Sequence, residues 1–283
     1  MATIQWFPGH MSKARRQVQE NLKYVDFVTI LVDARLPLSS QNPMLTKIVG
    51  DKPKLLILNK ADLADPTQTA IWKHHFESQG IATLVINSKE QSTVKKVTEA
   101  AKVLMQEKIA RQKERGIQAT SLRTMIIGIP NAGKSTLMNR LAGKKIAVTG
   151  NKPGVTKGQQ WLRTNKDLEI LDTPGILWPK FEDEEVAMRL ALTGAIKDNL
   201  LPMDDVTIFG LNFFKEYYPT ELQERFPKMD LEEEAAEIIM DMTRNLGYRD
   251  DYDRFYQLFV KEIRDGKLGR YTLDRLESEN GND

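Results

Sequence analysis

The chain has 283 residues, 41% hydrophobic and 28% charged, with a formal net charge of +2, which excludes disordered, collagen-like and membrane-protein compositions. It has no cysteine and only three histidines, which excludes disulfides and thiolate zinc sites, so any metal should have oxygen ligands. No apolar run is long enough to cross a bilayer and no secretion signal precedes residue 12, so we expect a cytoplasmic protein without a membrane partner.

Along the first part of the chain, short runs rich in β-branched residues or leucine predict buried strands. These runs cover residues 27–32, 54–58, 83–86, 124–129 and 168–171. Stretches of helical period lie between them, notably at 69–79 and 93–112. This alternation predicts an α/β domain with a mostly parallel sheet and helices on both faces.

The pattern changes after residue 178. Helical spacing then dominates over residues 184–199, 231–246 and 253–264. Asp230 and Glu233 resemble a capping box for the second of these helices. Residues 178–283 carry 14 Lys and Arg against 25 Asp and Glu, a net charge of −11, which leaves +13 for the residues before them. We therefore predict two domains, an α/β domain over 1–178 and an all-α helical bundle over 179–283.

A P-loop motif, Gly128-Ile-Pro-Asn-Ala-Gly133-Lys134-Ser135, follows the predicted strand at 124–129 and precedes a helical segment. In a P-loop, backbone N–H groups surround phosphates at a helix N-terminus. The residues expected to bind in this way are Asn131, Ala132, Gly133, Lys134, Ser135 and Thr136. Lys134 is expected at the β- and γ-phosphates, and the Ser135 hydroxyl on Mg²⁺. The alternative is a Gly-rich turn without a ligand.

Two further segments fit a site that senses a γ-phosphate. Asp172-Thr-Pro-Gly175 ends the strand at 168–171, where the carboxylate can reach Mg²⁺, through water, and the Gly175 N–H can approach the γ-phosphate. Thr156, in the loop before it, can supply a second hydroxyl to Mg²⁺. An ordinary Pro-Gly turn and an ordinary loop threonine are the alternatives.

Asn59-Lys60-Ala61-Asp62 follows the strand at 54–58 and predicts recognition of guanine. The Asp62 carboxylate can accept two parallel hydrogen bonds from the imino and amino groups of guanine, a donor pair that adenine lacks. Asn59 is expected to brace the loop and the Lys60 stem to lie over the base. Ser88 lies in a loop whose backbone N–H is expected at the guanine carbonyl, with a plain loop as the alternative.

The order of these motifs predicts a circularly permuted domain, because Asn59 precedes Lys134 whereas ordinary small GTPases have the P-loop first. With Trp6-Phe-Pro-Gly-His10-Met11 and Asp33-Ala-Arg-Leu-Pro37, the motifs resemble the YlqF-type circularly permuted GTPases over the whole chain. The resemblance implies a GTP-binding and GTP-hydrolysing factor in late assembly of the large (50S) ribosomal subunit. It also implies a C-terminal helical domain that contacts rRNA. The basic cluster of that domain is Lys261, Arg264, Lys267, Arg270 and Arg275.

Catalysis is less clearly encoded. Many GTPases place a water-orienting Gln after the Asp-x-x-Gly motif, but this chain has Ile176 there, which predicts slow hydrolysis that rises on the ribosomal particle. The resemblance implies that His10 substitutes, beside Lys134 and Thr156, and that Asn131 helps to hold K⁺. Alternatively, His10 belongs to an anchoring segment and Asn131 only shapes the loop.

Three functional hypotheses remain open at this point. The first is a ribosome-stimulated GTPase that uses Mg²⁺ and binds GTP, GDP and a precursor of the large subunit, as a monomer when free. The second is a nucleotide-gated RNA-binding scaffold with incidental hydrolysis. The third is an ATPase or small-molecule kinase with the same P-loop.

Overall fold

The computed structural model describes residues 9–117, 121–143, 161–164, 167–171 and 183–276. These residues form two compact units. The sheet unit comprises the described residues up to 171 together with 274–276, and the helical unit comprises 183–273. The sequence pattern assigns 274–276 to the helical domain, whereas the structure groups them with the sheet unit.

The described strands of the sheet unit form one sheet. They are β1 Phe27–Asp33, β2 Lys54–Asn59, β3 Ala82–Val85, β4 Leu122–Ile127, β5 Trp161–Arg163 and β6 Leu168–Leu171. Their spatial order is β3-β2-β1-β4-β6-β5. All neighbours are parallel except β5, which pairs antiparallel with β6 at the edge. The five predicted strands are thus present, each within two residues of its predicted bounds, and β5 is an additional strand.

Strand β1 lies at the centre of this sheet. All seven of its residues are buried, as expected for a strand covered on both faces. Its neighbours are β2 and β4, and the Thr29 and Thr124 hydroxyls form a buried hydrogen bond of 3.0 Å across the β1–β4 pair. Because these strands are parallel, their carboxyl ends lie at one edge of the sheet.

Six described α-helices belong to the sheet unit. They are α1 Gly9–Asn21, α2 Pro43–Val49, α3 Pro66–Ser78, α4 Thr93–Leu104, α5 Gln106–Glu114 and α6 Lys134–Ala142. Helix α3 begins after Asp65, whose Oδ1 accepts hydrogen bonds from Thr67 N at 2.8 Å and Gln68 N at 3.1 Å. The single helix predicted over 93–112 is wrong, because Met105 leaves helical geometry (φ −103°, ψ 17°) between α4 and α5. The apolar spacing continues across this break and so does not reveal it.

The chain returns to the sheet unit at Asp274, which is buried. Its Oδ2 accepts hydrogen bonds from Leu38 N and Ser39 N, both at 2.7 Å, and its Oδ1 accepts one from Ser39 Oγ at 2.5 Å. Trp72 Nε1 donates to the Asp274 carbonyl at 3.1 Å. The segment after the helical unit is therefore tied to the loop that follows β1.

The described residues of the helical unit contain five α-helices. They are α7 Glu184–Leu192, α8 Met203–Tyr217, α9 Pro219–Arg225, α10 Ala235–Asn245 and α11 Tyr252–Arg264. Gly210 on α8 lies in a crowded position, where a Cβ would be 3.1 Å from Leu192 Cδ1 and 3.2 Å from Phe259 Cε1. The missing side chain lets α7 and α11 pack closely on α8. None of the described helices is long and apolar enough to span a bilayer.

Two sequence predictions in the helical unit are wrong. The helix predicted over 184–199 ends at Leu192, because Gly194 follows in the left-handed region at φ +81°. The capping box is formed by Glu234 and Glu237, with the Glu234 N–H donating to Glu237 Oε2 at 3.3 Å, and not by Asp230 and Glu233. Three-residue spacing of acidic residues occurs more than once in this stretch, so the pattern alone does not select the pair.

The expected RNA-contacting cluster is partly occupied within the helical unit. Arg264 donates to the Ala191 carbonyl at 2.7 Å and to the Leu192 carbonyl at 3.1 Å, and it also pairs with Asp198 at 2.8 Å. Lys261 pairs with Asp265. Arg264 thus closes the C-terminal end of α7, a structural role that its charge alone does not indicate.

Candidate functional site

The P-loop and the loops that begin at Asn59 and contain Ser88 meet at the carboxyl edge of the parallel strands. Asn59 ends β2 directly opposite Asp33, the last residue of β1. On the other side of β1, β4 ends at Ile127, immediately before the P-loop. Parallel α/β sheets bind ligands at this edge, where loops from neighbouring strands converge.

The P-loop has a backbone shaped for close approach. Asn131 and Gly133 have positive φ angles of +61° and +98°. A Cβ on Gly128 would lie 2.3 Å from the Leu31 carbonyl oxygen, so only glycine fits there against β1. Helix α6 begins at Lys134, and the N–H groups of a first helical turn have no acceptor within the helix. The loop and this helix N-terminus together form a backbone arrangement suited to an anion.

Lys134 is held inside this loop. Lys134 is only 9% exposed, and its ammonium donates to the Ile129 carbonyl at 2.7 Å and the Gly128 carbonyl at 3.1 Å. Ala132 is buried, and Ser135 and Thr136 are half-buried on the first turn of α6. The positive charge is therefore concentrated where the sequence predicts phosphates.

Asn59 connects three loops. Its Nδ2 donates to the Ala132 carbonyl of the P-loop at 2.8 Å, and its Oδ1 accepts from Ser88 N at 3.0 Å. The Asn59 side chain is buried, so both bonds form away from water. A Cβ on Gly133 would lie 2.3 Å from Asn59 Nδ2, which explains the glycine at that position. The bracing expected of Asn59 has this geometric basis.

Lys60 makes an ion pair with a residue outside the predicted site. Its backbone is left-handed (φ +61°), and its Nζ lies 2.8 Å from Asp33 Oδ2. Asp33 also accepts from Arg35, with Nε 3.0 Å from Oδ1 and a terminal guanidinium nitrogen 2.8 Å from Oδ2. Both Asp33 and Arg35 are buried.

The Asp33 carboxyl is ionised in this setting. Burial by itself raises the pKa of Asp33, but the Arg35 guanidinium and the Lys60 ammonium lower it by more, through their charges and hydrogen bonds. The pKa of Asp33 therefore lies far below its usual range. One buried carboxylate therefore balances two cations beside residues 59–62, which we call the guanine-type loop.

Asp62 lies on the turn after Lys60 and is exposed. The turn is fixed on both sides of it, because Ala61 N donates to the Ile86 carbonyl at 3.1 Å and Leu63 N donates to the Lys60 carbonyl at 2.9 Å. The Asp62 carboxylate thus projects from a defined turn at the tip of β2 and is accessible to a ligand.

Two contributors to this edge have no role assigned from the sequence, although Asp33 begins one of the motifs that carry the family resemblance. Asp33 ends β1, and Arg140 on α6 donates to the Lys89 carbonyl in the loop after β3. Arg140 thereby ties the Ser88 loop to the helix that follows the P-loop. An acidic residue at a strand end was an available signal for Asp33. No local signal marks Arg140, because its acceptor is 51 residues away.

Several predicted residues lie outside the described part of the chain. Thr156, Asp172 and Gly175 are among them, and α1 contains His10 but its side chain is not described. Among the described side chains, no group of three or more His, Cys, Asp or Glu residues could hold a metal. The Ser135 hydroxyl on the first turn of α6 is an oxygen donor of the kind that fits Mg²⁺, which takes few protein ligands when phosphate supplies others.

Comparison with known proteins gives a family match over part of the chain and relatives over nearly its whole length. The sequence profile of a family described as 50S ribosome-binding GTPase matches residues 123–241. The chain is 48% identical to ribosome biogenesis GTPase A of Bacillus pumilus over 98% of this chain and 100% of that protein. It is 32% identical to the Thermotoga maritima protein of the same name, over 97% of this chain and 95% of that protein. It is 30% identical to mitochondrial ribosome-associated GTPase 1 of Mus musculus, over 95% and 90%.

Solved structures give the same result. GNP-bound YlqF from T. maritima superposes with a TM-score of 0.65 at 27% identity, covering 93% of this chain and 98% of that one. A GDP-bound structure of TM YlqF gives a TM-score of 0.65 at 26% identity, covering 92% and 99%. The predicted resemblance and the predicted fold class, a permuted P-loop GTPase domain followed by helices, are confirmed.

Proposed function

This chain belongs to the ribosome biogenesis GTPase A family and is a GTP hydrolase, and from that premise we propose that it acts late in assembly of the large ribosomal subunit. Its ligands are guanine nucleotides and its partners are ribosome-related. The large subunit is favoured because the matching family is described as 50S ribosome-binding. The net charge of +13 on residues 1–177 gives an electrostatic attraction to rRNA.

The observation that carries the nucleotide-binding part of this proposal is the position of Asn59 between the P-loop and the Ser88 loop, with bonds of 2.8 and 3.0 Å. Those bonds support a single nucleotide site that contains both the P-loop and the Asp62 turn. In that site, Asp62 reads the paired donors of guanine and the Lys60 stem covers the base. The Ser88 N–H donates to Asn59, so the loop that contains Ser88 would face the base carbonyl with another backbone N–H. The backbone of 131–136 surrounds the phosphates.

For hydrolysis, we assign Lys134 to the β- and γ-phosphates, where its charge offsets the negative charge that develops during transfer. Ser135 and Thr156 would hold Mg²⁺, with Asp172 through water, and Gly175 would donate its N–H to the γ-phosphate. The metal supplies electrostatic stabilisation of the phosphate oxygens when bound. Loss of the γ-phosphate releases the contacts of Thr156 and Gly175, which gives the domain its switch.

The water-orienting group is the unusual part of the proposed mechanism. Because Ile176 occupies the position of the common glutamine, we assign His10 to orient the attacking water. Asn131 would help to hold K⁺, whose charge takes the place of an arginine finger. Because this chain has Ile176 and not a water-orienting glutamine, we expect turnover to be slow in the free protein and to rise on the particle.

Rates of GTP hydrolysis test this function directly. The rate should rise at least tenfold with large-subunit precursors, stay unchanged with small subunits, and be higher in K⁺ than in Na⁺. A rate that is indifferent to large-subunit particles contradicts the assignment to that subunit. Equal rates in K⁺ and Na⁺ contradict only the role of the monovalent cation.

Base recognition is tested with Asp62→Asn. The amide of asparagine has a donor in place of one carboxylate acceptor, so the affinity for GTP should fall at least 100-fold. The affinity for XTP should rise, because XTP carries an oxygen acceptor at the position of the guanine amino group. Asp51→Asn, the same change on an exposed residue of the sheet unit, is the control and should alter neither. Unchanged GTP binding by Asp62→Asn, or equal binding of ATP and GTP by the wild type, would contradict guanine recognition.

Ile176 also favours a second candidate function, an RNA-binding scaffold gated by nucleotide, in which hydrolysis is incidental. The two functions differ in the consequence of blocking hydrolysis without blocking GTP binding. His10→Ala should halt maturation of the large subunit if turnover is required and leave it unaffected if GTP binding alone suffices. GTP affinity measured in parallel must remain at the wild-type value for the comparison to hold.

A further inference from the structure

The Lys60–Asp33 ion pair fixes a side chain that would otherwise be mobile. A lysine stem has several rotatable bonds, and ordering it costs side-chain entropy. Here the Lys60 side chain is 24% exposed and that of Asp33 is 5% exposed, with Nζ and Oδ2 2.8 Å apart. The left-handed backbone of Lys60 is also a conformation that non-glycine residues rarely adopt.

Asp33 is itself immobilised. Its Oδ1 accepts from both the backbone N and the Nε of Arg35, each at 3.0 Å, and its Oδ2 accepts from the Arg35 guanidinium at 2.8 Å. Asp33 lies opposite Asn59 in the β1–β2 register, and Asn59 directly precedes Lys60 in the chain. The anchor of the lysine therefore belongs to the rigid sheet and not to the loop.

From this geometry we propose that Asp33 is a positioning residue for guanine nucleotides, which holds the Lys60 stem in place as a preformed surface for the base. The inference depends on the proposed role of Lys60 over the base. Asp33 does not touch the nucleotide. It lowers the entropic cost of binding, because the Lys60 stem is already ordered when the base arrives.

The electrostatics agree with a permanent anchor. Two cations, Lys60 and Arg35, face the Asp33 carboxylate, and they hold the pKa of Asp33 far below its usual range despite burial. The carboxylate therefore remains charged wherever the protein is folded and active near neutral pH, and the Lys60 anchor persists.

The proposal is tested by titrating GDP and IDP into the wild type, Asp33→Asn, Lys60→Met and the double variant. IDP lacks the amino group that Asp62 reads, whereas the stem of Lys60 contacts either purine equally. We expect each single variant to raise both dissociation constants about tenfold, with the GDP-to-IDP ratio unchanged. The double variant should bind no more weakly than either single variant, because both changes break one interaction.

Two variants serve as controls. Lys60→Arg keeps a cation that reaches Asp33 and should bind GDP within about threefold of the wild type. Asp167→Asn removes a carboxylate from another lysine pair, Lys102 to Asp167 at 2.9 Å, and should leave GDP binding unchanged.

Three outcomes would overturn the proposal. The first is a loss of GDP affinity in the double variant equal to the product of the two single losses, and the second is an unchanged GDP affinity in Lys60→Met. The third is a change in the ratio of the GDP and IDP dissociation constants in Asp33→Asn, which would mean that the carboxylate shapes the whole loop. If Asp33→Asn does not fold, Lys60→Met and Lys60→Arg decide the question by the same criteria. Failure of the wild type to bind GDP would contradict the proposed function, whereas wild-type binding with an unaffected Lys60→Met contradicts this inference alone.

Discussion

The side-chain amide of Asn59 donates a hydrogen bond to the carbonyl oxygen of Ala132 at 2.8 Å, although 73 positions separate the two residues in the chain. Asn59 ends a strand and Ala132 lies in the P-loop that follows a different strand. The bond forms because β1 lies between these strands and all three are parallel. One buried amide thus joins the guanine-type loop to the P-loop.

Asn59→Asp should separate the two functions of this amide. The carboxylate still accepts from Ser88 N but has no hydrogen to donate to the Ala132 carbonyl, and two oxygens then face each other. Breaking a buried hydrogen bond in this way costs about 1–3 kcal/mol. We expect GDP affinity, measured by titration calorimetry, to fall about 10- to 100-fold.

The matched control for Asn59→Asp is Asn199→Asp, the same chemical change on an exposed residue of the helical unit. Its GDP affinity should equal that of the wild type. A wild-type dissociation constant in Asn59→Asp would mean that the P-loop does not depend on this bond.

Gly133→Ala should damage the site much more than Gly143→Ala. Both glycines have positive φ, +98° and +67°, so alanine is strained at either position by about 1 kcal/mol. At Gly133 the added Cβ also lies 2.3 Å from Asn59 Nδ2, whereas at Gly143 nothing lies within 4 Å. We expect at least tenfold weaker GDP binding for Gly133→Ala and less than a threefold change for Gly143→Ala. Equal effects would show that backbone strain, and not the contact with Asn59, explains this glycine.

Asp274 should stabilise the loop after β1. Its carboxylate accepts from Leu38 N and Ser39 N at 2.7 Å, and Asp274→Ala leaves these two backbone donors without that acceptor. Hydrogen exchange at the Leu38 and Ser39 amides, measured by NMR, should become at least tenfold faster. Ser39→Ala removes only the hydroxyl hydrogen bond to Asp274, so hydrogen exchange at the Leu38 amide of this variant should change less than threefold. Unchanged exchange in Asp274→Ala would contradict this role of the carboxylate.

Glu169 should give the sheet a pH-dependent stability. Burial raises the pKa of Glu169, but hydrogen bonds from Arg123 and Arg163, which flank it from β4 and β5, lower it by more. A lowered pKa means that the stabilisation is present above the ordinary glutamate pKa of about 4.3 and is lost as the pH falls below it. The difference in melting temperature between the wild type and Glu169→Gln should therefore shrink between about pH 6 and about pH 3.5.

The control for Glu169 is Glu107→Gln, which removes an exposed pair with Arg111. Exposed pairs of this kind contribute little to stability, so its melting temperature should follow that of the wild type at every pH. A difference for Glu169→Gln that stays constant with pH would contradict the lowered pKa.

Much of the sheet could be predicted from local pattern, because a buried strand needs a short apolar run wherever it lies in the sheet. The failures have local physical causes as well. Met105 interrupts a helix whose apolar spacing continues, Gly194 ends a helix in the left-handed region, and the edge strand Trp161–Arg163 is too short to form a pattern. Several acidic residues before α10 have the spacing of a capping box, so spacing alone does not identify the pair Glu234 and Glu237.

The chemistry of each binding loop was readable from consecutive residues. A phosphate-type loop needs its glycines, lysine and serine within eight positions, and a guanine-type turn needs its carboxylate three positions after its asparagine, so both signals survive without coordinates. The contacts that join the loops belong to the tertiary structure. Asn59 with Ala132, Lys60 with Asp33 and Arg140 with Lys89 depend on strand order and register. Hydrogen bonds act only over about 3 Å, and no pattern of neighbouring residues specifies which distant atoms come that close.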